Sequence, residues 1–173
     1  GEMELAATNV IRSVSTVFFV IVNSLAATTG SLVSNLLGAG QKRQVIPLCN
    51  CVVRLGYAIG FPLVILAVIF YRPIIGIYTE STALMQIAHL PFVVMLLNYI
   101  FALPGYVYMN SVTGTGATRM TFIFQLITIV AYQIYLWSIS SFSTSLSVYW
   151  TAEYLYVILL GLLSVIYLKY KHY

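Results

Sequence analysis

The eight basic and four acidic residues of this chain do not cover a surface; they punctuate long apolar stretches. Those stretches run at about 5–37, 45–71, 82–113, 120–139 and 146–168. At about 1.5 Å of rise per residue, each is long enough to cross a hydrocarbon core of about 30 Å. The pattern predicts an all-α fold: a polytopic integral membrane protein whose five transmembrane helices form a single membrane domain over residues 1–173. With 61% hydrophobic residues, 7% charged residues and a mean hydropathy of +0.96, a water-soluble domain would expose more apolar surface than one core can hide. A spanning segment must satisfy its own backbone hydrogen bonds, and none of the stretches shows the short alternation of a barrel strand.

Charge asymmetry orients the spans. If they alternate in direction, Lys42, Arg43, Arg119, Lys169 and Lys171 fall on one side, whereas Arg72 shares the other with Glu2, Glu4 and Glu80. Basic residues concentrate in cytoplasmic segments, so the loops near residues 42 and 119 and the C-terminus are expected in the cytoplasm of a cell whose inner (plasma) membrane holds the protein. The N-terminus is then external, with no basic-flanked signal peptide before the first span, and this implies a further segment upstream. The net charge of +4 belongs to these anchors; no basic cluster with interleaved aromatics is free to track phosphates, which excludes nucleic acid as a partner. The lipid bilayer is the expected environment, and Tyr71, Tyr78, Trp137, Tyr149, Trp150, Tyr167, Tyr170 and Tyr173 near span ends suit the headgroup layer. Cys49 and Cys51 point to different helix faces and are expected as buried free thiols. His89 and His172 have no second ligand at helical spacing, so no metal site is expected.

Two segments resemble each other. SNLLGAGQKR at 34–43 and NSVTGTGATR at 110–119 superpose Gly38 on Gly114, Gly40 on Gly116 and Arg43 on Arg119. Glycine at a helix end followed by a basic turn is the chemistry of a C-cap and a cytoplasmic anchor. Neither copy has the third glycine or the preceding strand of a nucleotide-binding loop. Pro62, Pro91 and Pro104 lie inside spans, as do Gly30, Gly56, Gly60 and Gly105. Such residues serve either a kinked, cavity-lining helix or close helix packing, and the pair Pro104 and Gly105 is the expected hinge.

Polar side chains within the spans form stripes. The first span carries Asn9, Arg12, Thr16 and Asn23, continued by Ala27, Gly30 and Ser34. The fourth carries Thr121, Gln125, Thr128, Tyr132 and Tyr135, and the fifth Tyr149, Glu153 and Tyr156, while Asn98 adds an amide to the third. Any one of these suits an interhelical hydrogen bond; their convergence points to a hydrated cavity. An ionised group at depth costs at least about 2.5 kcal/mol and is seldom unpaired, which singles out Arg12 and Glu153. Glu153 is the expected proton or cation carrier, with an ion pair to Arg12 as the competing role; Arg54 can snorkel to the cytoplasmic surface. The expected substrate- or ion-binding set is therefore Asn9, Arg12, Asn98, Gln125, Tyr132, Tyr135 and Glu153, with Tyr132 and Tyr135 offering ring faces to an organic cation.

The stretches GEMELAATNVIRSVSTVFFV, LVSNLLGAGQKR, RPIIGIYTE and MNSVTGTGATR together resemble the second half of a multidrug and toxic compound extrusion (MATE) transporter. The resemblance implies twelve helices in two six-helix lobes, of which this chain would be helices eight to twelve. It also implies a missing N-terminal lobe on the same polypeptide and the export of organic cations, drugs or other amphiphiles in exchange for Na⁺ or H⁺. No covalent chemistry, catalytic residue or cofactor beyond the coupling ion is implied. Many bacterial members carry an acid about a turn and a half before the position of Tyr108; this chain has Ala102 there, leaving Glu153 as the acid within the spans. Two other functions compete. A lipid-linked oligosaccharide flippase would need basic residues in its cavity, where Arg12 is the strong candidate, and a non-transporting scaffold subunit would show small residues on every helix face.

Overall fold

The computed structural model describes residues 2–77, 80, 82–142, 146–171 and 173, with the side chains at 3, 4 and 146–150 left out. The expectations for Tyr78 and His172, and those for the side chains of Glu4, Tyr149 and Trp150, lie outside the described residues. The elements follow in the order α1 (Glu2–Gly38), a 3₁₀ turn (Lys42–Gln44), α2 (Val45–Ile69), α3 (Tyr71–Gly76), α4 (Thr82–Gly114), α5 (Thr118–Phe142) and α6 (Leu146–Tyr170). No strand occurs among the described residues, and all of these helices except the short α3 contain a stretch long and apolar enough to cross a membrane. The fold is the all-α bundle that hydropathy predicts.

Both GxG segments end helices. Gly40 (φ 74°) and Gly116 (φ 89°) adopt the left-handed conformation that a side chain resists. At the first end, Gln41 N–H bonds the Leu36 carbonyl at 2.8 Å and Gly40 N–H bonds that of Leu37 at 3.1 Å, a Schellman pair that satisfies the last carbonyls of α1. The second span ends earlier than hydropathy suggests, at Ile69, and α3 begins at Tyr71. Pro73 explains the break: continuing the helix would leave the Ile69 carbonyl without its N–H partner and against the proline ring.

Helix α4 packs against every other α-helix. It is the most buried span, and Phe92, Leu96, Leu103, Val107 and Val112 on several of its sides are fully buried. Its exposed positions, such as Leu90, Leu97 and Phe101, are apolar too, which is why its sequence shows no amphipathic period. Glycines set how closely its neighbours approach. A Cβ on Gly114 would lie 2.3 Å from the Gly30 carbonyl oxygen of α1, and one on Gly105 would lie 2.6 Å from the Val157 carbonyl oxygen of α6. Gly161 meets Gly105 Cα from the other side, its Cβ position 3.0 Å away. Gly105, expected as part of a hinge, thus sits at a tight crossing of α4 and α6. Ser34 fastens the α1 crossing by donating to the Gly114 carbonyl at 2.7 Å.

The α2–α4 seam is polar. Tyr99 donates to the Gly56 carbonyl at 2.9 Å, Tyr108 donates to Asn50 Oδ1, and Cys49 Sγ lies 3.0 Å from Ser111 Oγ. Tyr57 donates to the Ile100 carbonyl. That carbonyl is the one Pro104, four residues on, leaves without an N–H, so a side chain from α2 replaces the missing helical bond. The cysteine expectation needs one correction: Cys49 is buried but Cys51 is exposed. The buried stripe of α2 runs through Val45, Cys49, Val52, Gly56, Gly60, Val64 and Ala67, and Cys51 lies about 200° from Cys49 around the helix.

Candidate functional site

Three helices enclose a pocket of about 250 Å³. α1 contributes Arg12, Ser15, Thr16, Phe18, Phe19 and Val22; α4 contributes Met95, Leu96, Asn98, Tyr99, Ala102 and Tyr106; α6 contributes Glu153 and Val157. The aromatic walls interlock edge to face, Phe18 against Tyr99 at 6.1 Å and Phe19 against Tyr106 at 5.7 Å between centroids. Polar groups are few and uneven: one guanidinium, one carboxylate, two hydroxyls from α1, the phenols of Tyr99 and Tyr106, and an amide. The carbonyl oxygen of that amide, Asn98 Oδ1, is buried without a hydrogen-bond donor among the described residues. An orphaned buried acceptor is costly, of order 1–3 kcal/mol, and a ligand bearing an N–H, a cation or water would relieve it.

Glu153 is half-buried, and its carboxylate accepts a hydrogen bond from Tyr132 of α5 at 3.1 Å. Tyr132 in turn packs edge to face on Tyr156, with centroids 6.0 Å apart. The carboxylate is thus held from the α5 side and presented to the pocket, where Arg12 stands on a different wall. Among the described residues the two charges form no direct ion pair. Opposite charges lining one pocket without touching leave room for something between them.

The remaining expected site residues divide. Tyr135 shares a hydrogen bond of 3.0 Å with Thr151, and Gln125 donates to the Met109 sulfur at 3.3 Å, so both fasten helices rather than line the pocket. Thr121 and Thr128, on the same α5 stripe, are buried, which places that stripe against the bundle. Asn9 is exposed and does not line the pocket; its carbonyl accepts from Ser13 at 3.0 Å. Pro104 and Gly105 lie behind it at the α2 and α6 seams. Sequence reasoning missed the aromatic walls, Phe18, Phe19, Tyr99 and Tyr106, because apolar rings in apolar spans carry no signal of their own. Ala102, where the MATE resemblance implies an acid, lines the same pocket as Glu153. A larger hollow of about 880 Å³ lies over the turn at Gln41, Lys42 and Arg43, with no aspartate or glutamate in its lining.

Comparison with known proteins gives one match: the MatE family model covers residues 1–138, which takes in all of α1 to α4 and most of α5. No curated protein and no solved structure matched the chain. Glu153 lies beyond the matched residues, on α6.

Proposed function

The chain belongs to the MatE family of multi-pass membrane transporters, and from that premise we propose that it is helices eight to twelve of a secondary antiporter. It exports organic cations, drugs or other amphiphiles in exchange for Na⁺ or H⁺ across the plasma membrane, with its C-terminus cytoplasmic. The observation that carries this reading is the pocket in which Glu153 shares walls with aromatic rings, Arg12 and the unsatisfied Asn98 oxygen. A carboxylate there can hold a proton or Na⁺ in one state and release it in the other. The ion drives transport only if it binds one shape of the protein more tightly. Alternating access in such transporters works around a site within the membrane, and an acid inside an apolar helix supplies the ion's ligand. Arg12 as the lone basic side chain of the pocket weighs against a pyrophosphate-carrying flippase.

Transport by the protein in liposomes under an imposed Na⁺ or H⁺ gradient tests the proposal. E153Q keeps the shape of the side chain and removes its charge; it is expected to express normally and lose gradient-driven export of an organic cation. Export that keeps its full ion dependence in E153Q would move the coupling site elsewhere.

A further inference from the structure

We propose that the groove between α2 and α6, at the end of the bundle that carries the basic turns, holds the phosphate of an anionic phospholipid. Both helices pack on α4, and between them lies a hollow of about 210 Å³ lined by Ile46, Asn50, Tyr108, Val165, Leu168 and Lys169. Its polar groups are one-sided. Tyr108 spends its hydroxyl on Asn50 Oδ1, so the amide that Asn50 has left to offer is a pair of N–H donors. Lys169, exposed in the last turn of α6, adds an ammonium. One turn deeper than Asn50 on α2 is Arg54, exposed within an apolar span and long enough to snorkel back toward the groove.

Among the described residues no aspartate or glutamate lines the groove. Glu2, Glu4 and Glu80 belong to the opposite end of the spans, and Glu153 lines the pocket between α1, α4 and α6. What remains free on Asn50, Arg54 and Lys169 is therefore all donor and mostly cationic, which calls for an acceptor-rich anion. The walls specify its source. Ile46, Val165 and Leu168 are apolar, and the exposed Leu162 and Ile166 continue the α6 wall into the membrane, where acyl chains lie. A soluble phosphate would gain nothing from them. A lipid whose headgroup is anionic matches both the charges and the walls.

Native mass spectrometry of the purified chain tests this, with equimolar phosphatidylglycerol and phosphatidylcholine as probes. Wild type is expected to retain phosphatidylglycerol over phosphatidylcholine by about fivefold or more, and R54Q/K169Q to bring that ratio close to one. N50D, which replaces donors by a negative charge, should lower it as well. K42Q/R43Q removes equal charge from the neighbouring turn and should leave it unchanged. Circular dichroism checks folding; if R54Q/K169Q does not fold, K169Q alone, at an exposed helix end, is expected to lower the ratio by about twofold. The proposal is overturned if wild type shows no preference, if the groove variants keep it, or if K42Q/R43Q lowers it equally, which would mean a diffuse basic surface. Displacement of the lipid by millimolar glycerol 3-phosphate would also overturn it, as a free-phosphate site.

Discussion

Glu153 and Arg12 were legible from the sequence because an ionisable side chain within an apolar span has few explanations. What the sequence could not supply is their relation. Lying at similar depth made an ion pair plausible, yet Glu153 is held by Tyr132 instead, and Arg12 stands exposed on another wall of the pocket. Asn9 lies outside the pocket for a related reason: it shares a helical face with Arg12, but the pocket covers α1 only between Arg12 and Val22. The hydrogen bond to Glu153 has a charged acceptor in a half-buried site, which makes it worth about 1.5–3 kcal/mol. Y132F is therefore expected to lower the midpoint of thermal unfolding in detergent, whereas R12Q, which breaks no direct ion pair, should leave it nearly unchanged. A larger loss in R12Q than in Y132F would mean that the guanidinium, and not the tyrosine, holds the carboxylate.

At the scale of the helices, the spans announced themselves by length and the ends of α1 and α4 by their repeated glycines. The central place of α4 did not, since its exposed positions, such as Leu90 and Leu97, are as apolar as its buried ones and leave no stripe to read. Nor did the α2–α4 seam, whose hydrogen bonds join residues such as Tyr99 and Gly56 that are 43 positions apart. The bond from Tyr57 to Ile100 is the sharpest case, because Pro104 creates the need that Tyr57 meets. Y57F leaves that carbonyl orphaned in an apolar bundle and should cost about 1–3 kcal/mol in denaturant unfolding. In a P104A background the helix can bond the carbonyl itself, so the same substitution should cost much less; equal costs in both backgrounds would separate the tyrosine from the proline. Gly105→Ala tests the α4–α6 crossing directly. Its Cβ would fall 2.6 Å from a backbone oxygen that cannot swing away, which predicts about 1–3 kcal/mol of destabilisation, whereas Gly38→Ala, with open space around it, should be nearly silent.

For the molecule as a whole, the arrangement of charge around the bundle makes a directional claim. α1 has 37 residues and is therefore about 55 Å long, well beyond a hydrocarbon core of about 30 Å, so the turn after Gly38 stands clear of the apolar layer. Lys42, Arg43, Arg119, Lys169 and Lys171 all fall at that end of the bundle, because α1, α4 and α6 finish there and α2 and α5 begin there. Positive residues favour the cytoplasmic side, so this end should face the cytoplasm and Glu80, in the connection before α4, should face outward. Single cysteines introduced at Gln41 and Thr118 are expected to react with a membrane-impermeant maleimide only in inside-out vesicles, and one at Glu80 only in intact cells. Cys51 must first be replaced, since it is exposed along the span, whereas Cys49 is buried against Ser111 and should stay silent. Labelling of Gln41→Cys from outside would invert the orientation. It would also move the lipid groove beside Lys169 to the outer leaflet and reverse the direction in which a carboxylate at Glu153 could carry its ion.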